Sequence, residues 1–201
     1  MASIKRKRHK ELIVNQLYQL SPQEIQSRPT QRKGTSSLSQ NSNFEMLVML
    51  IRYRLSFMKD VAAYKWEHQI AIEDVQREKV VIENSLQNAK AHRLDGDSIR
   101  MFFTTQITLA KVIEQYWFDE WQTEGFNSFD YADLSTIIRP VLISSGNDIL
   151  KAIKACKLWH NTRHKNLELL PIFCNKLEMT GISLHEKHQL FKTLLAIKPL
   201  A

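Results

Sequence analysis

The sequence of 201 residues contains little glycine and proline, five of each, and no long uninterrupted apolar run. Few turn-forming residues and few alternating apolar segments disfavour β-sheet and favour an all-α protein. Without an apolar run of about 18 residues, no membrane-spanning helix is expected. The two cysteines, Cys156 and Cys174, are too few for a disulfide framework. Two free thiols are therefore expected rather than a bridge.

The sequence also lacks the motifs of covalent and nucleotide chemistry. It has no Gly-rich phosphate loop, no GxSxG turn and no Ser-His-Asp order. Cys156, His160 and His164 follow one another at intervals of four on one predicted helix. Three such side chains span about 12 Å, too far for one zinc ion at about 2.0–2.3 Å from each. No metal site is expected, so the site must act by binding and polarisation.

The net charge of +7 is concentrated near the N-terminus. Residues 1–33 hold eight of the 28 Lys and Arg residues but only two of the 21 acidic residues. Their composition predicts a basic, disordered tail over 1–42 and a helical domain over 43–201. The tail could contact nucleic acid, but no interleaved aromatic residues support that interpretation. A nucleic-acid partner for the helical domain is not expected.

Apolar periodicity predicts a six-helix bundle with one long N-terminal spine helix. The spine begins at Asn43 and ends near Glu67, with an inward stripe that starts at Phe44. The other predicted helices cover 74–92, 98–122, 135–161, 165–179 and 184–196. In the second helix Val80, Val81, Leu86 and Ala89 are predicted to face inward. Pro140 requires that the fourth helix begins close to it.

Charged residues interrupt the inward stripes of these helices. Arg54 and Lys65 are eleven residues apart, about three helical turns, and so share one face of the spine. Burial of a cation without a partner destabilises the folded protein by roughly several kcal/mol. The predicted interior receives seven ionisable side chains in all: Arg54, Lys65, Asp74, Arg77, Glu78, Glu114 and Arg139. Such a pocket suits a small di-anion, because Arg binds carboxylates with two hydrogen bonds.

At these residues the chain resembles the all-helical chorismate mutases, in particular the exported class. The resemblance rests on RLSFMKDVAAYKW (54–66), IEDVQRE (72–78), AKAHRLDGDSI (89–99) and IEQYWFDEW (113–121). It extends from Phe44 to Gln122, and more weakly to the C-terminus. It implies a type II chorismate mutase fold and the rearrangement of chorismate to prephenate, which needs no cofactor. It also implies a homodimer, whereas the sequence itself gives no oligomeric state.

The same resemblance implies a role for each candidate residue. Arg54 and Arg139 would hold the two carboxylates, and Arg77 would add a cationic contact. Lys65 would reach a carboxylate and the ether oxygen. Glu114 would donate to the ether oxygen, which requires a protonated carboxyl group. Asp74 and Glu78 would serve the ring hydroxyl and orient the cations.

The sequence departs from the family at several points. Ala110 replaces a Ser or Thr, so one hydrogen bond to substrate is missing or replaced, and Val81 replaces a Gln of some exported members. No signal peptide is evident, which predicts a cytoplasmic protein, with a periplasmic or secreted one as the alternative. The alternative function is a helical interaction protein that has lost activity and binds nucleic acid through its basic tail.

Overall fold

A computed structural model describes the backbone of residues 35–200 and the side chains of residues 41–200. The predicted tail up to residue 34 lies outside the described residues. Between residues 35 and 200 the chain forms seven α-helices, a π-helical turn at Leu134–Ile138 and a 3₁₀ turn at Leu158–His160. The helices are α1 (Thr35–Leu55), α2 (Met58–Glu67), α3 (Val75–Ala91), α4 (Gly96–Glu124), α5 (Arg139–Cys156), α6 (Arg163–Lys176) and α7 (Leu184–Leu195).

The all-α fold and the six predicted helices are confirmed, with two changes in the spine. The spine is interrupted at Ser56 and Phe57, which divide it into α1 and α2. The break is slight, because the Ser56 amide still donates to the Arg52 carbonyl at 2.9 Å and the Val61 amide to the Phe57 carbonyl at 3.0 Å. The predicted start at Asn43 is wrong, since α1 already begins at Thr35.

The core lies where α1 and α2 pack against the other helices. Helix α1 packs on α5 and α6, α2 packs on α4, and α3 packs on both α4 and α5. The predicted inward stripe of the spine is confirmed. Its apolar members are all buried: Phe44, Leu47, Ile51, Leu55, Met58, Val61 and Ala62. Burial of so many apolar side chains supplies the main driving force for the bundle.

Side-chain caps fix the beginnings of the helices that flank the site. Asp74 accepts a hydrogen bond from the Arg77 amide at 3.0 Å and caps α3. Asp133 accepts from the Ser135 and Thr136 amides and caps the π-helical turn before α5. Pro140 lies in the first turn of α5, as predicted, where its missing N–H is harmless.

Two expectations for α3 and α5 are wrong. Val80 is 41% exposed, so it faces solvent rather than the core. Helix α5 ends at Cys156, because Lys157 adopts a left-handed conformation with φ 48°. His160 therefore lies in a 3₁₀ turn and His164 in α6, so Cys156 and these two histidines do not share a helix face.

The chain between α4 and α5 is held by aromatic and polar contacts. Phe126 packs edge-on against Trp121 with ring centroids 4.9 Å apart. The Tyr131 hydroxyl donates to a carboxylate oxygen of Glu67 at 2.5 Å, and the Ser128 hydroxyl donates to the other oxygen at 3.0 Å. These contacts tie the loop to the end of α2 and thereby set the position from which α5 begins.

Both cysteines are free thiols, and burial raises the pKa of Cys156 to about 12. None of the helices in the described part of the chain is both long and apolar enough to cross a bilayer.

Candidate active site

A cleft opens between the spine, α3, α4 and the start of α5. It encloses about 740 Å³, including the part open to solvent. Its walls include all seven ionisable residues predicted from the sequence: Arg54, Lys65, Asp74, Arg77, Glu78, Glu114 and Arg139. The four elements are far apart in sequence, so the site exists only once the bundle has packed.

Lys65 and Glu114 form a buried ion pair in the wall of this cleft. The Lys65 ammonium donates to Glu114 Oε2 at 2.7 Å and to the Ile72 carbonyl at 2.6 Å. Lys65 is 8% exposed and Glu114 4%. With two acceptors in place, the ammonium has one N–H left to offer a ligand. The pair thus holds one N–H donor of Lys65 in a fixed position at one end of the cleft.

The environment of Glu114 favours its neutral form. Burial raises the pKa of this carboxyl group above its usual range, although the Lys65 ammonium opposes the shift. A protonated carboxyl group can donate a hydrogen bond, whereas a carboxylate can only accept. Glu114 is therefore placed to serve as a donor beside the Lys65 ammonium.

Arg54 reaches the cleft from the end of α1. Its guanidinium donates to the Leu142 carbonyl of α5, which holds the side chain against that helix. Burial, and then the nearby positive charge of Arg77, lower the pKa of Arg54 to about 10. Both effects oppose its positive charge, so a bound anion would relieve an existing electrostatic strain.

Arg77 and Arg139 add two further cations at the opening. Among the described side chains, neither guanidinium forms an ion pair with a carboxylate within 4.0 Å. Burial and then the charge of Arg139 lower the pKa of Arg77, and only Asp74 opposes this shift. Asp74 is engaged in capping α3. The three arginines of the cleft consequently repel one another more than neighbouring acids neutralise them.

Lys111 pairs with the remaining acid of the cleft. Its ammonium lies 3.0 Å from Glu78 Oε1 and 3.6 Å from Glu73 Oε1. The contact with Glu78 raises the pKa of Lys111, so the lysine stays charged. Five cationic and three acidic side chains line the cleft. With every acid ionised, two positive charges remain in excess among the described residues, and protonation of Glu114 adds a third, so the cleft favours an anionic ligand.

Comparison with known proteins shows similarity to chorismate mutases. Residues 45–115 match the family model "Chorismate mutase type II". The secreted chorismate mutase of Yersinia pestis is 33% identical over 111 residues, which cover 54% of this chain and 60% of that protein. The monofunctional chorismate mutase of Enterobacter agglomerans is 28% identical over 145 residues, covering 72% of this chain and 78% of that protein.

The similarity to solved structures extends over more of the chain. The crystal structure of the Yersinia pestis secreted enzyme superimposes with a TM-score of 0.68 and 26% identity, covering 76% of this chain and 97% of that one. The chain is therefore similar to all-helical chorismate mutases in both sequence and fold. The chorismate mutase of Burkholderia thailandensis, at 24% identity and a TM-score of 0.66, shares the fold.

The two departures from the chorismate mutase pattern noted in the sequence lie at the cleft. Ala110 and Val81 both line it. Neither side chain can form a hydrogen bond, so this part of the wall is more apolar than the arginine-rich opening. The polar groups of a ligand must therefore bind to other residues of the cleft.

Sequence reasoning missed two residues of the cleft, Gln106 and Lys111. Gln106 lies directly before Ile107 on α4, and a single polar residue beside apolar residues gives no distinctive signal. Lys111 lies three residues before Glu114, on the same side of α4. Its contact with Glu78 arises from the packing of α3 on α4, for which the sequence gives no local signal.

Proposed function

We propose that this protein catalyses the rearrangement of chorismate to prephenate. The observation that carries the proposal is the buried Lys65–Glu114 pair at 2.7 Å in a cleft with an excess of positive charge. Similarity to the chorismate mutase family supports it. In this reaction the ether C–O bond breaks while a C–C bond forms within one molecule. No nucleophile or external proton is consumed.

The arginines would select the reactive conformer of the substrate. Arg54 lies at the α1 end of the cleft and Arg139 at the start of α5, so the two guanidiniums approach from different helices. Each can bind one carboxylate with two hydrogen bonds. Arg77 adds positive charge between them. Fixing both carboxylates restricts the ring and the side chain of the substrate to an arrangement in which the new bond can form.

Lys65 and Glu114 would stabilise the charge that develops on the ether oxygen. Lys65 already occupies Glu114 Oε2, so a proton on this carboxyl group is carried by Oε1. The remaining N–H of Lys65 and the O–H of Glu114 then supply two donors to one oxygen. Donors held in place by burial act without reorganisation as the oxygen gains charge, which is the usual source of electrostatic catalysis.

Asp74 and Glu78 would complete the polar wall around the substrate. Asp74 accepts from the Arg77 amide, and Glu78 binds Lys111. Both carboxylates still have lone pairs for a substrate hydroxyl. Their ion pairs and caps also hold Arg77 and Lys111 in place.

The decrease in the absorbance of chorismate tests this function directly. Purified protein should consume chorismate in a saturable manner, and chromatography should identify prephenate as the product. The absence of turnover by a folded wild-type protein contradicts the proposal. Removal of divalent metals with a chelator should leave the rate unchanged, because no step needs a metal.

Cellular location and oligomeric state stay predictions. The relatives from Yersinia pestis and Mycobacterium tuberculosis are named as secreted enzymes, which supports the exported alternative over the cytoplasmic one. Fractionation of the producing cells, with the mutase activity followed in each fraction, distinguishes the two. Light scattering on the purified protein tests the homodimer expected from the family.

A further inference from the structure

Gln106 is a buried polar residue with no partner in the described part of the structure. Its side chain is in the wall of the cleft, and the residue is 2% exposed. Neither Nε2 nor Oε1 forms a hydrogen bond among the described residues. Buried carboxamides nearly always have a partner, because an unpaired donor and acceptor destabilise the fold. Gln106 is one of the residues that line the cleft, so a ligand bound there is the partner that we consider for its carboxamide.

The helix geometry places Gln106 near the Arg54 end of the cleft. Phe103, one turn before Gln106 on α4, approaches the same point of α5 as Arg54. A methyl group on Gly146 would lie 3.7 Å from Phe103 Cε1 and 4.0 Å from Arg54 Nη1. Glu114, two turns after Gln106, lies at the Lys65 end. Gln106 therefore lies between the two ends, one turn from the level of Arg54.

We propose that Gln106 is a substrate-contact residue whose Nε2–H donates to the carboxylate bound by Arg54. This inference rests on the proposed function, because that function supplies the dicarboxylate. An amide is a suitable partner for an anion that three guanidiniums already attract. It adds a directional donor without adding another positive charge to a cluster whose members lower one another's pKa. It also does not titrate, so its contact is independent of pH.

A donor at this position also fits the polar balance of α4. Ala110, one turn further along the same helix, offers no hydrogen bond to the ligand. Gln106 is thus an uncharged residue that lines the cleft on the Arg54 side. Among the described residues its carboxamide has no partner, which destabilises the free protein and favours a ligand that supplies one.

The test uses Gln106→Leu and a matched control, Gln122→Leu, which makes the same change on the exposed end of α4. We expect Gln106→Leu to raise KM about 10- to 100-fold, the loss typical of a hydrogen bond to a charged group. Its Tm in the absence of ligand should stay the same or rise by about 2–4 °C, because a buried unpaired amide has been removed. Gln122→Leu should leave KM unchanged.

An unchanged KM for Gln106→Leu overturns the inference. A fall in both Tm and kcat with constant KM also overturns it, because that pattern indicates a structural role. Calorimetric binding of chorismate separates this inference from the proposed reaction. If wild type binds chorismate without converting it and Gln106→Leu weakens the binding at least tenfold, the reaction is wrong but the contact stands. If wild type does not bind chorismate, both are overturned.

Discussion

The ammonium of Lys65 lies 2.7 Å from Glu114 Oε2 at a point where both side chains are buried. The two residues are 49 positions apart in sequence, on α2 and α4. The Lys65 ammonium also donates to the Ile72 carbonyl, which fixes its position. This pairing places an ammonium group beside a carboxyl group whose pKa is raised by burial. The proposed chemistry depends on the protonation state of that carboxyl group.

Glu114→Gln should remove a fall in activity at high pH. The pKa of Glu114 is raised, so the protonated form persists above the usual carboxyl range and is lost as pH rises through that value. Wild-type kcat/KM should decrease through this range, because a carboxylate cannot donate. The Gln side chain donates at every pH, so its profile should be flat there. Parallel pH profiles for the two proteins would rule out a donor role for Glu114.

Arg139→Ala should impair binding without destabilising the fold. The charge of Arg139 lowers the pKa of Arg77, so its removal relieves repulsion in the free protein. Loss of the two charge-assisted hydrogen bonds from Arg139 to a substrate carboxylate should lower kcat/KM about 100-fold or more. Thermal unfolding should show a Tm equal to or above that of wild type.

The control for Arg139→Ala is Arg163→Ala, an exposed position at the start of α6. It should retain wild-type kcat/KM. Equal losses of kcat/KM in the two variants would mean that activity depends on overall positive charge rather than on a carboxylate contact by Arg139.

Ala110→Ser should strengthen substrate binding. Ala110 lines the cleft one turn before Glu114 and has no hydrogen-bonding group. A hydroxyl at this point adds one hydrogen bond worth about 0.5–1.5 kcal/mol, which corresponds to a KM about 2- to 10-fold lower. Initial rates against chorismate concentration measure the change. Ala91→Ser, at the exposed end of α3, should have no effect. A higher KM for Ala110→Ser would indicate that the cleft is closed to substrate at this position.

Gly181→Ala should destabilise the fold while leaving the site intact. Gly181 has φ 82°, and a Cβ there would lie 3.0 Å from Tyr116 Cβ. Backbone strain of this kind costs about 1–3 kcal/mol, and the close contact adds to it. Urea unfolding should show the loss, with kcat/KM of the folded fraction unchanged. Gly96→Ala is the control, because its Cβ would meet only Leu86 at 3.7 Å. Equal stability of the two variants would contradict this account of Gly181.

The bundle could be predicted from sequence because helical periodicity and caps are local signals. Asp74 caps α3 and Pro140 begins α5 for reasons visible in a few residues. The errors occur where tertiary packing decides the outcome. Nothing local predicts the break at Ser56 or the left-handed Lys157 that ends α5. Val80 and Val81 are equally apolar, and only the packing of α3 decides which one faces the cleft.

The charged part of the site was visible in the sequence because cations on an apolar stripe are unusual. Arg54 and Lys65 are recognisable by their spacing alone, and Glu114 by its position on the α4 stripe. Gln106 was not recognisable, because a carboxamide next to an apolar stripe is common at surface positions. Its importance depends on the lack of a partner among the described residues at 2% exposure, which only the packed structure reveals.

The central claim is best tested by measuring the loss of chorismate absorbance for wild type, Lys65→Ala and Lys79→Ala. Lys79 is exposed on α3 and controls for the loss of a positive charge. We expect turnover by wild type and Lys79→Ala, and a kcat at least about 100-fold lower for Lys65→Ala, as when an electrostatic donor is removed from an active site. No turnover by wild type would contradict the enzyme assignment, and a Lys65→Ala variant as active as wild type would contradict the assigned site.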